Sequence, residues 1–449
     1  MGKNKEAIYD ARELGVGKMF VLGIQHMFAM FGATVLVPLI TGLDVASTLL
    51  FAGLGTLLFH LITGGKVPAF LGSSFAFLGG YAAIKTLCEN NGYDNFSAYA
   101  GVGVACAGLV YLVLALMFKL FGAKKVMRFF PPIVTGPIII AIGLTLSSSA
   151  IANCNENWWI ALVAIAVIIV CNIWGKGMIK IIPILMGVIV SYIVALIVKD
   201  VDFTLVKEAD WFGLPVVWDH TAFSLIGKGD TDISLIITSI ITIMPIALAT
   251  MIEHIGDICA ISSTVGNNYI EKPGLHRTLM GDGLATAMAA LFGAPANTTY
   301  GENTGVLALS KVYDPRVIRL AAIFAALLSF SPKFAALINS MPKSVVGGVS
   351  LVLYGMISAV GVRNVVENKV DFTKSRNVII AALILVLSIG INYSEAGAVV
   401  FTVGEATISL SGLAVAAIVG IVLNAVLPGK DYEFGKDLQG DTAVDFELR

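Results

Sequence analysis

Three carboxylates sit inside otherwise apolar runs of this sequence. Glu253 and Asp257 lie in IMPIALATMIEHIGDICAIS, and Glu302 lies in PANTTYGENTGVLALSK. An ionisable group inside a membrane span costs roughly 2.5–3.5 kcal/mol on insertion scales, so each needs a reason. Glu253 and Asp257 are four residues apart and share one face of a helix. Carboxylates at that spacing repel unless one holds a proton or meets a donor. A pair that faces a cavity and handles a proton is the functional reading. The blander alternative ends the span near Ile252 and leaves both groups solvated, because the basic turn EKPGLHR follows about a dozen residues later.

Around Glu302, helix-disfavouring residues precede an apolar helical run. An extended piece leading into a half-helix that starts near Glu302 is expected. The N–H groups at such a start have no partner within the helix and carry its positive dipole end, so they can donate to carbonyl oxygens of a ligand. Glu302 as a simple helix cap is the alternative. The stretch LGSSFAF offers a second set of N–H groups from the opposite side. His26, mid-span in VLGIQHMFAMFGATVLVP, reads more readily as a packed, hydrogen-bonded neighbour than as a proton carrier. His254 points off the Glu253 face and reads as structural or interfacial. His60 falls near a span end, Lys333 snorkels outward, and Asp282 either reinforces the site or caps a helix. A ligand for such a site has N–H donors for carboxylates, carbonyl acceptors for backbone amides, and a flat body for Phe75, Phe77 and Tyr300. Pyrimidines, oxopurines and other small planar amides all satisfy that description.

The elements that must position these residues are membrane spans. Of 449 residues 57% are hydrophobic and 13% charged, with a mean hydropathy of +0.87. Only lipid removes the need for a charged surface at that length, so the class is integral membrane protein. A net charge of −1 gives no reason to expect a nucleic-acid partner. The five cysteines (Cys88, Cys106, Cys154, Cys171 and Cys259) are scattered, without C-x-x-C, which argues against a disulfide framework or a zinc site. The polar start MGKNKEAIYDARELGVGK lacks a signal-peptide pattern, so the first apolar run is expected to be a retained span.

Spans of about 20 apolar residues are expected at 19–41, 45–62, 99–121, 129–150, 157–174, 181–198, 234–259, 275–292, 316–338, 345–362, 377–392 and 407–427. Two further stretches, 68–87 and 295–311, are apolar but broken by Pro, Gly, Ser and Thr; with them the count is about 14. Charge placement supports it. Every second connection is basic, beginning with Lys3/Lys5/Arg12/Lys18, Lys66 and Lys119/Lys124/Lys125/Arg128, while TGLDVAS, ENNGYDN, NCNEN and NYSEAG carry no basic residue. That alternation holds only if both broken stretches cross, and it puts both termini in the cytoplasm. VPAFLGSSFAFLGG and GAPANTTYGENTG also run alike, and each would be third in a half of seven spans. An odd number per half makes the second half an inverted repeat, and matched interrupted segments mark a transporter's midplane site.

These residues resemble the nucleobase–ascorbate transporter family, and most closely its bacterial uracil permease branch. The resemblance rests on QHMFAMFGATVLVP, VPAFLGSSFAF, EHIGD, PGLHR, NTTYGENTGV and GGVSLVLYG, and weakens in the 199–232 loop and the tail. It implies an all-α fold of fourteen segments in two inverted seven-span repeats, with short extended breaks in spans 3 and 10. A core domain (18–125 and 233–340) would hold substrate, and a gate domain (126–200 and 341–428) would flank it. Family members are proton symporters of the cell membrane and commonly homodimers, with a proton gradient in place of any cofactor. By motif position, Glu253 and Glu302 would contact the base, Phe75 and Gly301 would donate their amides, and Tyr300, Ser74 and Ala33 would line the pocket. Proton coupling would fall to Glu253, Asp257 and His26, His26 also orienting the signature segment of Asn303, Gly305 and Ser310. Two departures stand out. Ser310 replaces the signature threonine and keeps its hydroxyl. Asp257 stands where the best-known uracil permeases carry histidine, and Glu-x-x-x-Asp also occurs in purine carriers, whereas GENTG favours uracil over xanthine or uric acid. No H-E-x-x-H, G-x-S-x-G or Cys/His cluster supports an intramembrane enzyme. A passive channel would not need paired acids at broken helices, and midplane glutamates would repel anions.

Overall fold

The computed structural model describes residues 7–227, 231–403 and 406–429. The side chains of Met178, Ile181, Glu302, Leu309, 401–403 and 406–409 lie outside that description, as do Lys3, Lys5, Lys228 and the tail beyond 429. In chain order the larger elements are α1 (Val16–Thr41), α2 (Val45–Ile62), β1 (Leu71–Ser73), α3 (Leu78–Asn90), α4 (Phe96–Phe121), α5 (Pro132–Cys154), α6 (Trp158–Ile173) and α7 (Pro183–Ile197). The second half holds α8 (Ile233–Ile243), α9 (Ala247–Val265), α10 (Leu275–Leu291), β2 (Asn297–Thr299), α11 (Gly301–Ser310), α12 (Pro315–Leu328) and α13 (Pro332–Asn339). It ends with α14 (Lys343–Glu367), α15 (Ser375–Asn392), β3 (Ala398–Val403), β4 (Ala406–Ser411) and α16 (Gly412–Val426).

Among the described residues seven helices are long and apolar enough to cross a membrane, or eight if the bent pair α12–α13 is one span. Isoleucine and leucine stud their outer faces, as at Leu109, Val113 and Leu116 on α4 and at Ile379, Leu383 and Val386 on α15. Exposed apolar surface on this scale belongs against lipid, and the chain is a polytopic membrane protein.

Three details correct the sequence expectation. The fold is not purely helical: β1 pairs antiparallel with β2, and β3 with β4. The run 407–427 begins as a strand, and its helix starts only at Gly412. The span expected at 316–338 breaks by 89° between Leu328 and Pro332, where the Ser331 hydroxyl caps α13 by accepting from the Phe334 amide at 3.3 Å and Pro332 starts the helix afresh. The helix carrying Glu253 continues past Ile252, as the expected run 234–259 requires. A 3-10 turn at Met244–Ile246 joins α8 to α9, and α9 continues to Val265.

The helices pack as two groups. Around the β1–β2 pair, α10 lies against α4 and α2, α12 lies against α2 and α1, and α9 lies against α11. Beside this group α5 packs along α14, α15 against α16 and α5, and α6 against α7 and α14. Close approach of α5 to α14 uses Gly143, where an added Cβ would come 3.0 Å from the Ser358 amide nitrogen. Where the groups meet, α9 touches α5 and α16, and α1 touches α7 and α14.

A strap before α1 ties the first group at one end. Ile8 bridges Val312 in parallel, its amide donating to the Lys311 carbonyl at 2.9 Å. The Tyr9 hydroxyl donates to the Val265 carbonyl at 2.8 Å, at the end of α9. Arg316 donates to Asp10 at 2.9 Å and to Asp314 at 3.0 Å. Hydrogen bonds from Arg12 hold the Asp10 carboxyl well below the usual carboxylate range. A lowered value means the ionised tie is lost only when pH falls through it, so the strap stays charged at any physiological pH.

Candidate functional site

The centre of the molecule is built where the two broken stretches cross. Pro68 biases the residue before it toward extended backbone, and the hydroxyl-rich, β-branched NTT of the second stretch suits a strand. Leu71 lies opposite Thr299, Gly72 opposite Thr298 and Ser73 opposite Asn297. The pairing extends one step each way, with the Ser74 amide donating to the Ala296 carbonyl at 2.8 Å and the Tyr300 amide to the Phe70 carbonyl at 3.1 Å. All six strand residues are buried.

Further hydrogen bonds tie the strands to the surrounding helices. Thr56 accepts from the Leu71 amide at 2.9 Å, the Asn297 side-chain amide donates to the Phe51 carbonyl at 2.7 Å, and Ser73 donates to the Thr34 carbonyl at 2.9 Å. Irregular backbone at membrane depth is tolerated only when enclosed and satisfied in this way.

Because the strands are antiparallel, the helical turns that follow leave in opposite directions. Phe75–Phe77 forms a 3-10 turn leading into α3, and Gly301 opens α11. Neither Ser74 nor Tyr300 caps its turn with a side chain. The residues before the two openings, Ser74 and Tyr300, stand at opposite ends of the paired segment.

The sequence-identified residues gather around this crossing. Ala33, Phe75 and Tyr300 belong to one buried apolar cluster, which also includes Tyr354 of α14. Phe75 meets the Tyr354 ring edge-on at 5.7 Å, so the second helix group closes one side. The Tyr300 hydroxyl donates to the Ser73 carbonyl at 2.9 Å, and its ring crosses Gly72 closely enough that an added Cβ would lie 2.5 Å from Cζ. Tyr300 therefore locks the crossing as well as bordering it. The Ser74 hydroxyl is buried with no partner among the described residues. Asp257 is 8% exposed, and one of its carboxylate oxygens lies 2.9 Å from where a Gly301 Cβ would stand. Glu253 is half-buried one helical turn earlier on the same face. Glu302 occupies the second position of α11 by its backbone, and its side chain lies outside the described residues.

His26 reaches the signature segment. Its Nδ1 lies 2.9 Å from the Asn303 side-chain oxygen, while the Asn303 amide donates to the Pro68 carbonyl at 3.1 Å. Because the Asn303 oxygen accepts, Nδ1 carries the proton. Asn303 thus joins α1 and the chain entering β1 to α11. Gly305 is exposed on α11, and Ser310 accepts from the Val312 amide at 3.3 Å beside the left-handed Lys311.

Sequence reasoning missed one cluster. His254 is not interfacial: it is fully buried, with Nδ1 at 3.0 Å from Asp282 and 3.2 Å from the Thr299 hydroxyl. That hydroxyl donates to Asp257 at 3.0 Å. Asp282 is 0% exposed, so it caps nothing at a surface. The available signal was the hydroxyl pair of NTTY beside two acids in apolar helices. His60 is also buried, its Nε2 at 2.9 Å from the Ala69 carbonyl, and Lys333 stacks over Trp211 at 4.9 Å.

A sequence model of the permease family matches residues 17–397. The chain belongs to the nucleobase–ascorbate transporter family. It is 42% identical over 424 residues to the uracil permease of Bacillus caldolyticus, covering 92% of this chain and 93% of the relative. Against the uracil permease of Bacillus subtilis strain 168 the identity is 40%, over 94% of each chain. The uracil permease of Escherichia coli K12 matches at 38%, over 90% of each. Among solved structures, the transmembrane domain of the cyanobacterium bicarbonate transporter BicA superposes with a TM-score of 0.62 at 15% identity, over 93% of this chain and 99% of that one. SLC26A9 gives 0.62 at 13% identity, over 93% and 66%. At those identities the likeness is one of fold alone.

Proposed function

We propose that this permease carries uracil into the cell together with protons, by alternating access. The observation that carries the reading is the crossing of β1 and β2, which sets two uncapped helix openings at its ends, the one at Gly301 beside Asp257. Uracil presents two carbonyls and two ring N–H groups. The carbonyls suit the amides at Phe75 and Gly301, and the N–H groups suit carboxylates at Glu253 and Glu302. The names of its relatives support the same substrate.

A proton on the Glu253/Asp257 pair lowers the charge of the empty site and lets the neutral base displace water. Loss of that proton to the cytoplasm restores mutual repulsion and favours release. The first helix group, 18–125 with 233–340, would be the core that carries substrate. The second, 126–200 with 341–428, would be the gate; the packing preferences of the helices support the division. Fourteen crossings in two inverted repeats follow if α3 with β1, and α11 with β2, complete the counts. The basic alternation of the connections supports a cytoplasmic membrane location with both termini inside, and a homodimer is the expected assembly.

Binding is the simplest test. Purified protein in detergent is expected to gain roughly 2.7 kcal/mol of stability, a Tm rise of several degrees, at uracil one hundredfold above its Kd. Xanthine at equal concentration should leave Tm unmoved. Stabilisation by xanthine and not uracil would make the Glu253-x-x-x-Asp257 pattern a purine determinant and overturn the substrate assignment.

A further inference from the structure

A buried line of polar contacts runs away from the site and ends on a carboxylate that the binding scheme leaves unused. Asp282 on α10 and His254 on α9 have fully buried side chains and lie 3.0 Å apart. Among the described residues no lysine or arginine pairs with Asp282. An isolated carboxylate in such surroundings is very costly, so the pair must keep one proton between them, as acid with neutral imidazole or as carboxylate with imidazolium. From His254 the line passes to Thr299 at 3.2 Å and then to Asp257 at 3.0 Å, and Asp257 borders Gly301.

We propose that Asp282 and His254 store the transported proton and that Thr299 passes it to Asp257. This rests on the proton-coupled reading above. In the transfer the Asp282 O–H proton first passes to His254 Nδ1, giving an imidazolium whose Nε2 keeps its own proton, and that Nδ1–H bond then breaks as a new O–H bond forms on Thr299. The original Thr299 O–H bond breaks as one forms on Asp257. One proton has moved, Asp282 is left ionised, and no other reactant is needed. Strand β2 makes the hand-over conditional on geometry, because Thr299 belongs to the crossing that also positions Tyr300 and Gly301. The groups facing this line from neighbouring elements are few. Tyr111 of α4 donates to Thr250 at 2.6 Å, His60 of α2 is engaged with Ala69, and Glu253 lies one residue before His254. None bridges Asp257 to Asp282 as Thr299 and His254 do. The relay also gives Asp257 a source of protons inside the protein, where an imidazole at that position would itself titrate near neutrality.

The test uses the full-length protein in liposomes with an internal pH dye, comparing two assays. Counterflow of labelled uracil without a gradient needs only the loaded carrier to shuttle, and gradient-driven accumulation also needs the proton to leave. Thr299→Val is expected to keep counterflow within about threefold while accumulation and proton influx fall roughly 10- to 100-fold, as loss of a proton-transfer group does. Thr299→Ser should restore both. Asp282→Asn and His254→Gln should behave like Thr299→Val, and Asp282→Asn should lose an infrared band of a protonated carboxyl. Wild-type accumulation by Thr299→Val would overturn the relay while leaving proton coupling intact. Joint loss of counterflow and accumulation in Thr299→Val, unrepaired by Thr299→Ser, would assign the hydroxyl to structure and also overturn it. Wild-type counterflow without any gradient-driven accumulation would instead overturn the coupled reading itself.

Discussion

Glu253→Gln is expected to lower uracil uptake roughly 100-fold with little change in the amount of folded protein. The carboxylate is half-buried on α9, one turn before Asp257 and on the face that borders Gly301. A hydrogen bond to a charged group contributes about 1.5–3 kcal/mol, and each ~1.4 kcal/mol is a factor of ten in affinity. Glutamine also turns one acceptor into a donor aimed at a ring N–H. The loss should therefore fall at the upper end of that range. Because the side chain is only half-buried, the effect on Tm should stay within about 1 kcal/mol equivalent. Glu253→Asp keeps the charge on a shorter stem and should recover part of the affinity. The measurement is initial-rate uptake in cells normalised to membrane-inserted protein; wild-type KM and rate in Glu253→Gln would remove this residue from the site.

The second large effect falls on the crossing itself. Gly72→Ala would place a methyl 2.5 Å from Tyr300 Cζ and 2.8 Å from the Thr34 hydroxyl. The Tyr300 ring must then leave the Ser73 carbonyl it now meets at 2.9 Å. Overpacking of a filled interior costs typically 1–3 kcal/mol, and a lost hydrogen bond about 1 kcal/mol more. A net loss of roughly 2–4 kcal/mol should lower Tm by several degrees and abolish uracil stabilisation, because the amide of Gly301 moves with Tyr300. Tyr300→Phe isolates the hydrogen bond alone and should cost about 1 kcal/mol. Thermal melts of the purified variants decide it; an unshifted Gly72→Ala would mean that the two strands separate without consequence.

Much of this architecture was legible because lipid punishes charge and broken helices. That rule alone singled out Glu253, Asp257 and Glu302, and placed extended breaks where β1 and β2 occur. The pairing of those breaks with each other was not legible. Their registers, Leu71 opposite Thr299 and Ser73 opposite Asn297, join opposite halves of the chain, and three-residue strands carry no local pattern for a partner. Of the two readings of His254, structural or interfacial, burial excludes the second, and the ambiguity has a related cause. Its position off the Glu253 face suggests an interface when α9 is considered alone, yet α9 is enclosed on several sides, and that face meets α10 and β2. The bend at Ser331–Pro332 carried its own signal, a serine cap before a proline, which the continuing apolar run obscured. At 407–411 periodicity could not separate a short strand from the start of a helix.

The account is tested most directly by uptake of labelled uracil into liposomes holding the purified protein, with and without an inward proton gradient, and with excess unlabelled xanthine. It predicts accumulation above the external concentration only with the gradient, and no competition from xanthine. Equilibration without accumulation would contradict proton coupling. Suppression by xanthine, or no uracil entry at all, would contradict the assignment of this site to a pyrimidine.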